Sequence, residues 1–220
     1  SIDKHIPMGG GLGGGSSNAA STLLGLNYLW SLALTLDELV QIGLELGADV
    51  PVFIRGENCL AEGVGEMLTP IILSKQQYLV IKPPVNVETA TIFCQPQLTR
   101  DSLPIRIPAF FETGSQAPLR RELIQNTENV ANPTGIEVLK NDCMPVAIQL
   151  YPEIAEAIDW LNAQPGIGSA KMTGTGACVF SAAPDQKSAE QALKPLPAGW
   201  QGFLSQSSQR STAHEALDQF

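Results

Sequence analysis

The sequence predicts an α+β fold, and its 220 residues are enough for one or two domains. Three observations carry this reading. Apolar residues recur at helical spacing through residues 16–46, directly behind a glycine-rich run. The texture changes near Lys75, where a short apolar strand is stopped by Pro83 and Pro84. The stretch GSAKMTGTGACVFSAA then reads strand, glycine turn, strand, so the second half mixes helices with an antiparallel sheet.

Taken in order, SIDKHI is a short strand-like run. Behind the glycines, Ser16 to Trp30 reads as a helix, with Leu23, Leu26 and Trp30 at helical spacing and Ser16, Ser17 and Asn18 as capping types. Asp37 to Leu46 is a second helix, capped by Thr35 or Asp37 and ended by Gly47. GADVPVFIRG is a turn feeding a short apolar strand, Val52 to Ile54. CLAEGVGEMLTPI continues in strand-like pieces and turns. Tyr78 to Lys82 is a strand, and Val87 to Phe93 starts a helix. Residues 99–118 are proline-rich and irregular. Ile136 to Leu150 and Pro152 to Ala163 are helical, the latter with Pro152 in its first turn. Asp185 to Leu193 is a short helix, and GWQGFLSQS a final strand.

Composition narrows the function. Thirteen basic against twenty-two acidic residues give a net charge of −9, the wrong sign for a general nucleic-acid binder. With His5 and His214 as the only histidines, no protein metal site is expected. Cys59, Cys94, Cys143 and Cys178 form no C-x-x-C pair and read as buried free thiols of a reducing compartment. No apolar run approaches the length of a membrane span and no signal peptide is read, so the expected address is cytoplasmic.

Chemistry concentrates in PMGGGLGGGSSNAA, Pro7 to Ala20, where six of fourteen residues are glycine. Removing side chains leaves backbone N–H groups as the available donors. A glycine loop opening into a helix gathers them at the positive end of the helix dipole, an arrangement that binds phosphate. A P-loop is excluded because Ser16, not lysine, follows Gly15. A G-x-G-x-x-G match at Gly9, Gly11 and Gly14 is weak, because Asp37 and Glu38 start a helix instead of ending a second strand. A mobile glycine linker is the bland alternative.

The run resembles the second motif, P-x-x-x-G-L-[GS]-S-S-A, of the superfamily containing galactokinase, homoserine kinase, mevalonate kinase and phosphomevalonate kinase. KMTGTGACVF, Lys171 to Phe180, resembles that superfamily's third motif. GADVPVFIRG resembles a catalytic-aspartate segment, and NDC at Asn141 to Cys143 is also similar to the family. These ordered stretches span most of the chain. The resemblance implies a small-molecule kinase fold: a left-handed β-α-β nucleotide-binding domain at 1–74, N-terminally truncated, and a ferredoxin-like C-terminal domain at 75–220.

It also implies residue roles. Lys4, Pro7, Met8, Gly9, Gly10, Gly11, Leu12, Gly13, Gly14, Gly15, Ser16 and Ser17 would bind ATP with Mg²⁺, although Lys4 alone reads equally as a surface charge. Asp49 would be the catalytic aspartate that accepts or orients the acceptor hydroxyl; alone it reads as a turn residue. Thr89, Gly174, Thr175 and Gly176 would lie on the substrate side, where the bland readings are a helix start and a tight turn. Glu62 and Glu66 read as solvated acids, His5 as structural, Trp30 and Trp160 as core.

The triple glycine and the SSNAA ending resemble the branch that phosphorylates the 2-hydroxyl of 4-diphosphocytidyl-2-C-methyl-D-erythritol, in non-mevalonate isoprenoid precursor biosynthesis. Another small-molecule kinase of the superfamily, or a non-catalytic nucleotide-binding module, are the alternatives. No counterpart of the family's lysine-bearing first motif is found, so residues 1–220 alone are expected to be inactive. No nucleic acid or membrane partner is expected, and the expected state is a monomer or weak homodimer.

Overall fold

The computed structural model describes residues 3–102 and 140–218. They divide into two compact units. One gathers 3–12, 74–102 and 140–207; the other gathers 13–73 and 208–218.

The first unit is built on a four-stranded antiparallel sheet. Its strands are β3 (Gln77–Lys82), β4 (Lys171–Met172), β5 (Val179–Ala183) and β6 (Gln201–Gln206), in the spatial order β4-β5-β3-β6. Helices α4 (Thr89–Phe93), α5 (Met144–Leu150) and α6 (Pro152–Asn162) fall between β3 and β4, and α7 (Gln186–Leu193) between β5 and β6. This β-α-β-β-α-β path with its crossed strand order is the expected ferredoxin-like arrangement. Alternation puts Leu79 and Ile81 of β3 and Val179 of β5 into the core, with Ile154, Ala157 and Leu161 of α6 and Ala192 of α7. Asp185 caps α7 by accepting from the Ser188 N–H.

The second unit is mainly helical. It holds α1 (Gly14–Leu29), α2 (Leu36–Leu46), α3 (Val50–Arg55), the hairpin β1 (Cys59–Glu62) with β2 (Met67–Pro70), and α8 (Thr212–Leu217). Ala20, Leu24, Leu39, Val40, Val50 and Ile54 form its core. A Cβ on Gly43 of α2 would overlap Ile54 Cδ1 and come within 2.9 Å of Val50 Cγ1, so both side chains would have to shift. Thr35 and Glu38 form a reciprocal capping box on α2. Thr35→Ala is expected to lower the stability of this unit by about 1 kcal/mol, read from the midpoint of urea unfolding.

Several expectations are corrected. Residues 3–7 form no strand; Asp3, Lys4, His5 and Ile6 are exposed, and among the described residues His5 pairs with Asp3 alone, at 3.2 Å, on the surface and not in the core. Helix α1 begins two residues before Ser16, and Ser16, Ser17 and Asn18 lie inside it; its N-cap is Gly13 in the left-handed region. Trp30 stands past the last turn of α1 and is 66% exposed, outside the core. Trp160 does pack on the core, edge to face with Trp200 at 6.0 Å.

Val52 to Ile54 belong to helix α3, not a strand. Pro51 presets the first turn, Gly56 ends the helix at φ +67°, and Val50 and Ile54, four apart, are both buried. Of the expected helix Ile136 to Leu150, α5 starts only at Met144, with Pro145 in its first turn; positions 136–139 lie outside the described residues, as do 103–118 of the proline-rich stretch. Helix α8, capped by Ser211, was not expected. Its His214 is buried, with Nε2 2.8 Å from the Ile54 carbonyl oxygen and the ring over Gly56.

The thiols also differ from expectation. Cys178 is buried and Cys94 is exposed, with Cys59 and Cys143 half-buried. Burial pushes the Cys178 thiol up to about 11. Native protein treated with an aromatic disulfide reagent should therefore lose Cys94 first, and Cys178 only on unfolding, as read by peptide mass mapping.

Candidate functional site

In the first unit, the glycine run is pinned along one side by hydrogen bonds to its carbonyls. The Gly9 oxygen accepts from the N–H groups of Val87 (3.2 Å) and Ala177 (3.0 Å). The Gly10 oxygen accepts from Cys178 N–H at 3.1 Å. The Gly11 oxygen accepts from the Thr173 hydroxyl at 2.9 Å. A trans peptide directs its C=O and N–H to opposite sides. Turning these three carbonyls inward therefore turns the N–H groups of Gly10, Gly11 and Leu12 outward. None of those three donates to an acceptor among the described residues.

The backbone has the matching alternation. Gly9 (φ +63°), Gly11 (φ +68°) and Gly13 (φ +66°) are left-handed, while Gly10 and Leu12 between them are not. Such alternation curls successive N–H groups into an anion-binding nest. Glycine is needed for space as well. A Cβ on Gly11 would overlap the Thr173 carbonyl oxygen and come within 2.9 Å of that of Gly176; one on Gly10 would lie 2.8 Å from Cys178 Sγ.

The 173–178 loop beneath the run is itself braced. Thr173 N–H donates to Cys178 O at 3.1 Å, and Gly176 N–H to Thr173 O at 2.9 Å. The Asn141 amide donates to the carbonyls of Met172 (3.0 Å) and Gly174 (2.8 Å), while its Oδ1 accepts from Cys143 N–H at 2.9 Å. Gly174 and Gly176 take positive φ, as a tight turn requires. The hydroxyls of Thr89 and Thr175 lie 3.2 Å apart, so Thr89, Gly174, Thr175 and Gly176 are brought together with Gly9, Gly10 and Gly11. Lys82 Nζ holds the Val85 carbonyl and Asn86 Oδ1, both at 2.9 Å, and so fixes the turn that presents Val87 N–H. Pro7 is half-buried, Met8 is 71% exposed, and Lys4 is exposed with no ion pair among the described residues.

The chain enters the helical unit at Gly13. Helix α1 has no side-chain cap and no acid in its first turn, in contrast to α2. The N–H groups of Gly14, Gly15 and Ser16 are thus left at the positive end of a sixteen-residue dipole. Phe53 of α3 lies against Gly13, where a Cβ would meet the ring at 2.7 Å. Asp49, exposed at the N-cap of α3, stands four residues before Phe53 and so shares that face of the helix.

The sequence alone gives Thr173, Asn141 and Lys82 no role in the site. The one signal at Asn141 is its place in the NDC stretch. Lys82 read as the end of a strand, and Thr173 as one letter of a turn motif.

The family description "GHMP kinases N terminal domain" matches residues 1–57, and "GHMP kinases C terminal" matches residues 117–202. A protein of Nitrosococcus oceani named 4-diphosphocytidyl-2-C-methyl-D-erythritol kinase is 43% identical over 217 residues, covering 99% of this chain and 68% of its own length. The chain belongs to the GHMP kinase family. A relative of the same name from Alcanivorax borkumensis is 47% identical over 216 residues, 98% of this GHMP-family chain and 64% of the relative. A crystal structure of 4-(cytidine 5'-diphospho)-2C-methyl-D-erythritol kinase superposes with TM-score 0.68 at 30% identity, over 93% of this chain and 68% of that one. The chain spans about two thirds of the length of these relatives. Among the described residues, no helix is long and apolar enough to cross a membrane.

Proposed function

We propose that the protein containing this chain is the ATP-dependent kinase of 4-diphosphocytidyl-2-C-methyl-D-erythritol, forming its 2-phosphate and ADP for non-mevalonate isoprenoid synthesis. The reading is carried by the outward N–H groups of Gly10, Gly11 and Leu12 on a carbonyl-pinned glycine run. Family membership and the names of the relatives support it.

In this reading, residues 1–74 serve the nucleotide. The glycine run and the start of α1, through Ser16 and Ser17, hold phosphate oxygens, and Lys4, Pro7 and Met8 border the nucleotide. Mg²⁺ accompanying ATP would be held mainly by phosphate oxygens and would supply charge neutralisation there, asking few ligands of the protein. Among the described residues no cluster of three or more His, Cys, Asp or Glu could hold a metal.

The acceptor oxygen attacks the γ-phosphorus. A new O–P bond forms as the bond to the β–γ bridging oxygen breaks, and ADP leaves. Asp49 takes the hydroxyl proton of the acceptor. Thr89 and the Gly174–Gly176 turn face the substrate. We place the reaction in the cytoplasm, carried out by a monomer or weak homodimer.

The test is ADP release by the natural protein that contains these residues, with the cytidylyl substrate, homoserine and mevalonate offered separately. Turnover with the first alone is expected. Turnover with homoserine or mevalonate instead would overturn the assignment.

A further inference from the structure

We infer that Thr173 is a positioning residue for phosphate binding, setting the direction of the Leu12 N–H through its hydrogen bond to the Gly11 carbonyl. The inference rests on the phosphate-binding reading above and adds a residue and a role to it.

The three pinned peptides are not held alike. The Gly9 and Gly10 carbonyls are held by backbone N–H groups, which any sequence at 87, 177 and 178 except proline would supply. Among the described residues, the Gly11 carbonyl has one donor, and it belongs to a side chain. The peptide joining Gly11 to Leu12 is also the last of the three before α1. Glycine at 11 leaves this peptide the widest choice of orientations, so an external anchor matters most here.

The anchor is placed firmly. Thr173 donates its N–H to Cys178 and accepts from Gly176, so its backbone is fixed at both ends of a tight loop. The two Asn141 bonds hold the carbonyls on either side of Thr173, at Met172 and Gly174. The chain from Asn141 to Thr173 to Gly11 is therefore a continuous polar brace. It ends in a hydroxyl whose partner is a carbonyl of the phosphate run. Loss of the hydroxyl frees the peptide to flip. A flipped peptide turns the Gly11 oxygen toward the side where an anion would sit and withdraws the Leu12 donor. The effect falls on nucleotide affinity, because an oxygen facing a phosphate repels it.

Thr173→Val removes the hydroxyl and keeps the shape; Thr173→Ser keeps the hydroxyl and removes the methyl. In the full natural protein, Thr173→Val should weaken ATP binding by about tenfold, the effect of one lost hydrogen bond. KM for ATP should rise in parallel, with kcat changed by less than about threefold. Thr173→Ser should bind ATP as the unaltered protein does. A packing role for the methyl would reverse the pattern, and Thr173→Ser as weak as Thr173→Val would overturn the inference. So would unchanged affinity in Thr173→Val. If Thr173→Val does not fold, Thr173→Ala is read in its place by the same criteria. The Leu12 amide resonance of the nucleotide-free protein supplies a readout independent of ATP. It should move in Thr173→Val and stay in Thr173→Ser; no movement in either overturns the inference. Failure of the unaltered protein to bind ATP would instead overturn the proposed function.

Discussion

Gly11→Val is expected to abolish ATP binding measured by calorimetry, with the circular dichroism spectrum nearly unchanged. Two penalties coincide at this position. The residue holds φ +68°, a conformation that a β-branched side chain resists. Its Cβ would also overlap the Thr173 carbonyl oxygen, and no side-chain rotation relieves a clash with backbone. The run would have to lift from the 173–178 loop, and the outward N–H groups of Gly10, Gly11 and Leu12 would lose their common direction. Each such donor contributes about 1.5–3 kcal/mol when it meets a charged group, so losing the set exceeds a hundredfold in affinity. Gly25→Ala is the matched control. It lies in α1 with open space around it and no positive φ, and should bind ATP normally.

Asp49→Asn should leave the dissociation constant for ATP within about twofold and lower kcat by about two orders of magnitude or more, the range of a general base. The substitution keeps size and hydrogen-bonding capacity and removes the ability to take a proton. Asp49 makes no side-chain capping hydrogen bond to α3, so the substitution breaks none. A fall in turnover of less than about tenfold would make Asp49 a structural helix-start residue.

Much of the architecture was legible because local chemistry and tertiary packing agree. Thr35 was one of the two capping residues legible before α2, and the structure makes it the N-cap, with Glu38 completing a capping box that the sequence reading did not name. Pro83 and Pro84 end β3 where proline must. The failures lie where a short segment has no local vote. Val52 to Ile54 is too short and too uniformly apolar to show a period, and packing of Val50 and Ile54 in the helical core decides for helix. SIDKHI has strand-like letters, but a strand needs a partner, and the described residues 3–6 have none.

The candidate site divides in the same way. Its glycines were readable, because close approach and positive φ leave few other residues possible. The brace was not readable. Thr173 lies 162 residues from Gly11, and Asn141 31 from Met172, so no local pattern links them. The NDC stretch was the one available signal, and it carried no role until the carbonyls it holds were seen.

The central claim is that backbone N–H groups of the glycine run hold nucleotide phosphate. It is tested most directly by ¹H–¹⁵N spectra of the full natural protein, labelled at glycine and leucine and titrated with ATP and then, separately, with adenosine. The account predicts large downfield shifts of the Gly10, Gly11 and Leu12 amides with ATP, and little change with adenosine, which has no phosphate. ATP binding that leaves those three amides unmoved would contradict it.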